Sequence, residues 1–165
     1  MELNLETVTG PPRSAATVIM LRDGVDTGNG AAGIEVFLIK RHIKSNVLGG
    51  AFVFPGGKVD KLDAELDTAL HIDQPVHDLH TALNESDIDH ATAAGLYVAA
   101  LREVFEESGI LFAEGANRTH ADRATAMLRE GKTFGEVLAQ MTLRLQTSSL
   151  EIGRASCRER VLASV

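Results

Sequence analysis

Three carboxylates sit close together in one short stretch of the chain: Glu103, Glu106 and Glu107, with Arg102 beside them. Residues 91–108 have the composition of a helix, rich in Ala, Leu, Arg and Glu and free of Pro, and Gly109 supplies a stop. At 100° per residue the three glutamates share one side. Ala94, Tyr97, Val98, Leu101, Val104 and Phe105 fall on the other. Like charges three and four residues apart repel by a few tenths of a kcal/mol per pair (about 0.2–0.5), and Arg102 relieves only part of this. Such an oxygen-only cluster suits a hard divalent cation, magnesium or manganese, whereas zinc would prefer His or Cys. A solvated acidic helix face accounts for the same pattern, so helix and charge alone leave both readings open.

Other elements must hold this helix in place. Residues 15–21 (AATVIML) form a compact β-prone run, and residues 34–40 (IEVFLIK) a second. The polar, Gly-rich residues 22–33 read as the loop between them, giving an antiparallel hairpin. Residues 42–50 form a loop, and residues 51–54 a short strand ended by the turn Pro55-Gly56-Gly57. Residues 58–92 are acidic, contain histidines and are weakly periodic, an excursion with one or two short helices. Helices are also expected at 121–130 and 134–145, joined at Gly131. There Met127, Leu128, Val137, Leu138, Met141 and Leu145 have core spacing and imply no cofactor.

The chain of 165 residues suits one domain, and its 44% hydrophobic and 24% charged residues are an ordinary globular balance. No apolar run approaches the roughly 20 residues of a membrane helix. A net charge of -7 is the wrong sign for a general nucleic-acid binder. These features point to neither nucleic acid nor membrane as partner. Met1 to Arg13 shows no secretory signal, and the single cysteine, Cys157, excludes an intrachain disulfide. An intracellular, cytoplasmic setting follows as the expectation.

The order Arg102-Glu103-Val104-Phe105-Glu106-Glu107-Ser108-Gly109-Ile110 resembles the second half of the Nudix box, R-E-U-x-E-E-x-G-U, at every specified position. The first half, G-x5-E, is similar to Gly57 through Asp63, with Asp in place of Glu. Between the halves lie residues 64–101, which are 38 residues where the usual box has seven. The resemblance covers residues 15–112. It implies a Nudix α/β/α sandwich with a mixed sheet, and a hydrolase that cleaves a diphosphate linked to another group. By position, Glu103, Glu106 and Glu107 would be metal ligands, with the Gly57 carbonyl completing the set. Arg102 would orient a glutamate through a salt bridge, and Glu103 or Glu106 would join it in catalysis. Asp63 receives little weight.

The phrase Gly49 to Asp60 followed by a long insertion resembles the coenzyme A diphosphatase branch, which yields 3',5'-ADP and an (acyl-)phosphopantetheine. The signature before the box is matched in part: Ile39, His42 and Asn46 depart from its Thr, Ser and second Arg. Lys40, Arg41 and Lys44 are the candidate phosphate-binding residues, with ordinary solubility charge as the other reading. His71, His77, His80 and His90 in the insertion read as solvated. Residues 151–161 can be back-translated, codon by codon, into a common short-read sequencing adapter, and the expectation is that they are adapter-encoded. This divides the chain into an N-terminal segment 1–14, a Nudix domain 15–150 with its insertion near 64–92, and a non-native tail 151–165. The domain would then be truncated on its C-terminal side, with an aggregation-prone sheet edge. A Nudix-fold module that binds without turnover, and an inactive fragment of an enzyme, stand beside the hydrolase reading.

Overall fold

A computed structural model describes residues 13–24, 33–45, 49–154 and 160–164. Strand β1 (Ala15–Asp23) buries Ala16, Val18 and Met20 on one face, the two-residue alternation of a half-buried strand. It is the centre of a mixed sheet. On one side its C-terminal half pairs antiparallel with β2 (Ile34–Val36), and its N-terminal half pairs antiparallel with β5 (Gly56–Lys58). On the other side it runs parallel to β7 (Arg160–Ser164), which pairs antiparallel with β6 (Leu150–Arg154). Strands β3 (Ile39–Lys40) and β4 (Phe52–Val53) make a separate antiparallel ribbon.

The expected strand over 34–40 is therefore split, with Phe37 and Leu38 between its halves. The turn expected at Pro55-Gly56-Gly57 is corrected too. Gly56 and Gly57 belong to a strand, because their backbone lies flat against Ala16 and Thr17. At Gly56, φ is +158 and an added Cβ would run into the Ala16 carbonyl and the Thr17 backbone, so only glycine permits this approach. All of β6 but Leu150, and the first two residues of β7, fall within residues 151–161, the segment with the expected adapter origin.

The excursion holds three helices rather than one or two: α1 (Lys61–Ala64), α2 (Thr68–His71) and α3 (Val76–Leu83). Then α4 (His90–Ser108) starts at Asp89, whose side chain accepts from the Thr92 N–H at 2.7 Å, and ends at Gly109 in the left-handed region. The helices α5 (Arg118–Arg129) and α6 (Phe134–Met141) follow. Burial on α4 extends beyond the expected face to every residue from Ala93 to Arg102, because β1 and β5 cover one flank and the excursion another. Where α1 meets α4, Gly95 lies against Ala64, and a Cβ there would come within 3.1 Å of its backbone. One apolar cluster joins Val18, Leu79, Tyr97, Leu101, Val104, Val137 and Leu145.

Candidate active site

The carboxylates occupy the last two turns of α4, where the helix dipole is negative and no basic residue lies in the final turn. An anion in that position costs about 0.3–1 kcal/mol. Arg102, on the same helix, is the counter-charge. It is 7% exposed, and its guanidinium is committed on every side. Nε and Nη2 donate to the two oxygens of Asp63 at 2.9 and 3.0 Å, and Nη2 also donates to the Lys58 carbonyl at 3.0 Å. Nη1 donates to Glu103 at 2.9 Å and to Glu106 at 3.3 Å. Burial alone would make Arg102 easier to deprotonate, but the Asp63 hydrogen bonds and the Asp63, Glu103 and Glu106 charges outweigh it and fix the cation.

Asp63, which the sequence reading weighs lightly, is thus the principal partner of Arg102. It is 4% exposed and also accepts from the Asp60 N–H at 2.8 Å. Two local facts bring it there. The α1 turn holds the carboxylate at its own N-terminus, and Gly95 allows α1 to lie close on α4. Gly95 and Arg102 are seven residues apart and so share a helix face. The signal was in the sequence as the acidic position six residues after Gly57. The long insertion hid its partner.

Glu103 is half-buried under Gly57, where an added Cβ would overlap its carboxylate. Burial pushes the Glu103 carboxyl up, Arg102 opposes this in part, and the charges of Glu106 and Glu107 push it up further. Glu107 accepts from the Gly56 N–H at 2.9 Å and so ties α4 to β5. The structure thus brings Arg102, Glu103, Glu106, Glu107 and Gly57 together. Carboxylates beside a backbone carbonyl are the donor chemistry that suits magnesium or manganese. Among the described residues, however, no group of three acidic, histidine or cysteine side chains stands ready to hold a metal. In this arrangement Arg102 and Gly56 hold the carboxylates instead.

Lys40 ends β3, and Arg41 and Lys44 follow it in the connection toward β4. Lys40 sits over the Phe52 ring at 5.8 Å, and among the described residues no polar contact links the three to the carboxylates. The expectation of solvated histidines holds only in part. His71 is buried, with Nδ1 2.9 Å from the Leu143 carbonyl, and His80 meets the Ile88 carbonyl at 2.8 Å and the edge of His90.

No family model matches the chain. A solved structure described as the crystal structure of a NUDIX hydrolase from Alicyclobacillus acidocaldarius is similar to it, with a TM-score of 0.63 and 25% identity over 95% of this chain and 69% of that one. The mixed α/β arrangement matches that Nudix fold. The likeness supports a Nudix-type hydrolase in general.

Proposed function

We propose that the protein is a magnesium- or manganese-dependent hydrolase that cleaves a diphosphate linkage in a nucleoside diphosphate derivative. The observation that carries this reading is the Arg102 network, which gathers Glu103, Glu106 and Asp63 beside Gly57 from two segments 38 residues apart. Glu103, Glu106, Glu107 and the Gly57 carbonyl would hold the cation, which supplies charge neutralisation to the phosphates when bound. One of the glutamates takes a proton from water as its oxygen bonds to phosphorus. The bridging P–O bond then breaks, and the second phosphate departs with its electrons. Arg102 holds Glu103 and Glu106 in position and touches no substrate.

Coenzyme A or acyl-CoA is the favoured substrate, resting on residues 49–60 and the insertion after them, with Lys40, Arg41 and Lys44 as candidate phosphate contacts. A cytoplasmic setting is part of the same reading. So is an adapter origin for residues 151–161, which sequencing of the source locus tests. A reading frame that continues through Val165 in genomic DNA would remove that assignment.

The decisive experiment is a hydrolysis screen over coenzyme A, acyl-CoA and nucleotide sugars, with magnesium, manganese or chelator. Metal-dependent release of a phosphomonoester is expected. Glu106→Gln and Glu107→Gln are each expected to lose about 100-fold or more in kcat while remaining folded by circular dichroism. Undiminished activity in both variants would refute the site. Tight ligand binding without turnover would favour a non-catalytic module.

A further inference from the structure

Beside Glu106, on the flank away from β5, a groove of about 490 Å³ runs between the end of α4 and the end of α5. Phe105, Glu106 and Gly109 form one wall, and Thr125, Leu128, Arg129 and Lys132 the other. The two cations are set by backbone geometry. Gly131 takes φ +89, its N–H bonds the Leu128 carbonyl, and the Lys132 N–H bonds the Met127 carbonyl. This paired closure fixes the chain as it leaves α5 and brings Lys132 onto the wall that Arg129 lines. Across the groove Gly109, also left-handed, ends α4.

Neither cation is neutralised by a carboxylate: among the described residues no ion pair involves Arg129 or Lys132. Glu136 feels the Lys132 charge, but it is committed to capping α6 through the Thr133 N–H at 2.7 Å. A cation at the end of α5 also complements that helix dipole. That role needs only one charge, and it does not call for both to line a groove together with Glu106. Past Gly109 and Thr125 a second groove of about 480 Å³ continues toward Asn117 and Arg118, so a ligand longer than a phosphate has room to extend.

We infer that Arg129 and Lys132 form a phosphate-binding subsite that seats the phosphoryl group next to the one held at the α4 carboxylates. The inference rests on the diphosphate-hydrolase reading and adds to it a direction: the phosphate chain runs from Glu106 toward α5. Arg129 offers two parallel N–H donors to a phosphate, and Lys132 a point charge. In a chain of net charge -7 these two also offset the repulsion that the acidic cluster exerts on an incoming polyanion.

The test uses the full chain and inorganic pyrophosphate as probe, with and without magnesium, by titration calorimetry, together with steady-state kinetics. In the Arg129→Ala/Lys132→Ala variant the pyrophosphate Kd and the substrate KM are expected to rise about tenfold or more, with kcat changed less than threefold. The difference should shrink as salt is raised. Arg129→Lys should restore part of the loss. Arg123→Ala, on the same helix but outside the groove, should leave Kd and KM unchanged. Wild-type pyrophosphate affinity and KM in the double variant would overturn the subsite while leaving the hydrolase reading intact. Pyrophosphate binding that depends on both cations, in a protein that hydrolyses no diphosphate, would support the subsite and overturn the hydrolase reading. A wild-type protein that binds no pyrophosphate would overturn the subsite outright.

Discussion

Arg102 shows how one buried charge can organise a site. Removing one partner of a buried ion pair leaves the other uncompensated, at a cost of about 3–5 kcal/mol. Asp63→Ala is therefore expected to destabilise the fold by about that amount in urea unfolding. Asp63→Asn, which keeps one acceptor, should cost less. Equal, small losses for both would mean that the Arg102–Asp63 contact carries little weight. Gly57→Ala tests a different property. The three atoms nearest its Cβ all belong to the movable carboxylate of Glu103, so the protein should stay folded while the carboxylate shifts. Wild-type melting with hydrolysis reduced about tenfold or more is the expected result, since small misplacements at a reacting centre are costly. Wild-type rates would show that Glu103 need not stand where it does.

Between elements, the excursion is tied to the rest of the fold by Asp73. Its carboxylate accepts from the Thr147 hydroxyl at 2.6 Å and from the Ser148 N–H at 3.3 Å. Burial works to raise its pKa, but the donors of Ser148 and Thr147 outweigh it and hold the group below its ordinary 3.8. A depressed folded pKa adds stability that is complete above the unfolded value and is lost as pH falls through the folded one. The contribution should therefore be full at neutral pH and disappear in acid below about 4. Asp73→Asn should cost about 1–2 kcal/mol at pH 7 and progressively less at pH 3. A difference that does not change with pH would overturn the assignment. Nearby, Leu145 bridges both Ile72 and Ala113, so three separate segments meet at one buried residue.

Across the whole molecule, the excursion is part of the core and not an appended loop. Ile72, Leu79 and Leu83 belong to the same apolar cluster as Val18 and Val104. Amides in α3 should consequently exchange hydrogen at rates set by global unfolding, as those of α4 do. Fast exchange across residues 76–83 beside a protected α4 would show that the excursion opens independently. Among the described residues no helix is long and apolar enough to cross a membrane. Tyr97, buried on α4, has its hydroxyl pKa pushed up to about 12 by burial.

The helix at α4, its Gly109 stop, the β1–β2 hairpin and the carboxylate motif were all legible in the sequence. Each rests on local signals: periodicity, a cap, or residue types a few positions apart. The second half of the box was readable for the same reason, since a helix carries it whole. The partnership of Asp63 with Arg102 was not, because 38 residues lie between the two halves and only packing says where they rejoin. The segment Gly56 to Lys58 has the local signature of a turn, because glycines beside a proline signal turns. Here a neighbouring strand uses their missing side chains for close approach. That Arg129 and Lys132 line one groove with Glu106 likewise belongs to the tertiary structure, since it depends on two helices ending side by side. Sequence fixes what each segment carries and where it starts and stops. Burial of apolar faces decides which distant charges must share a site.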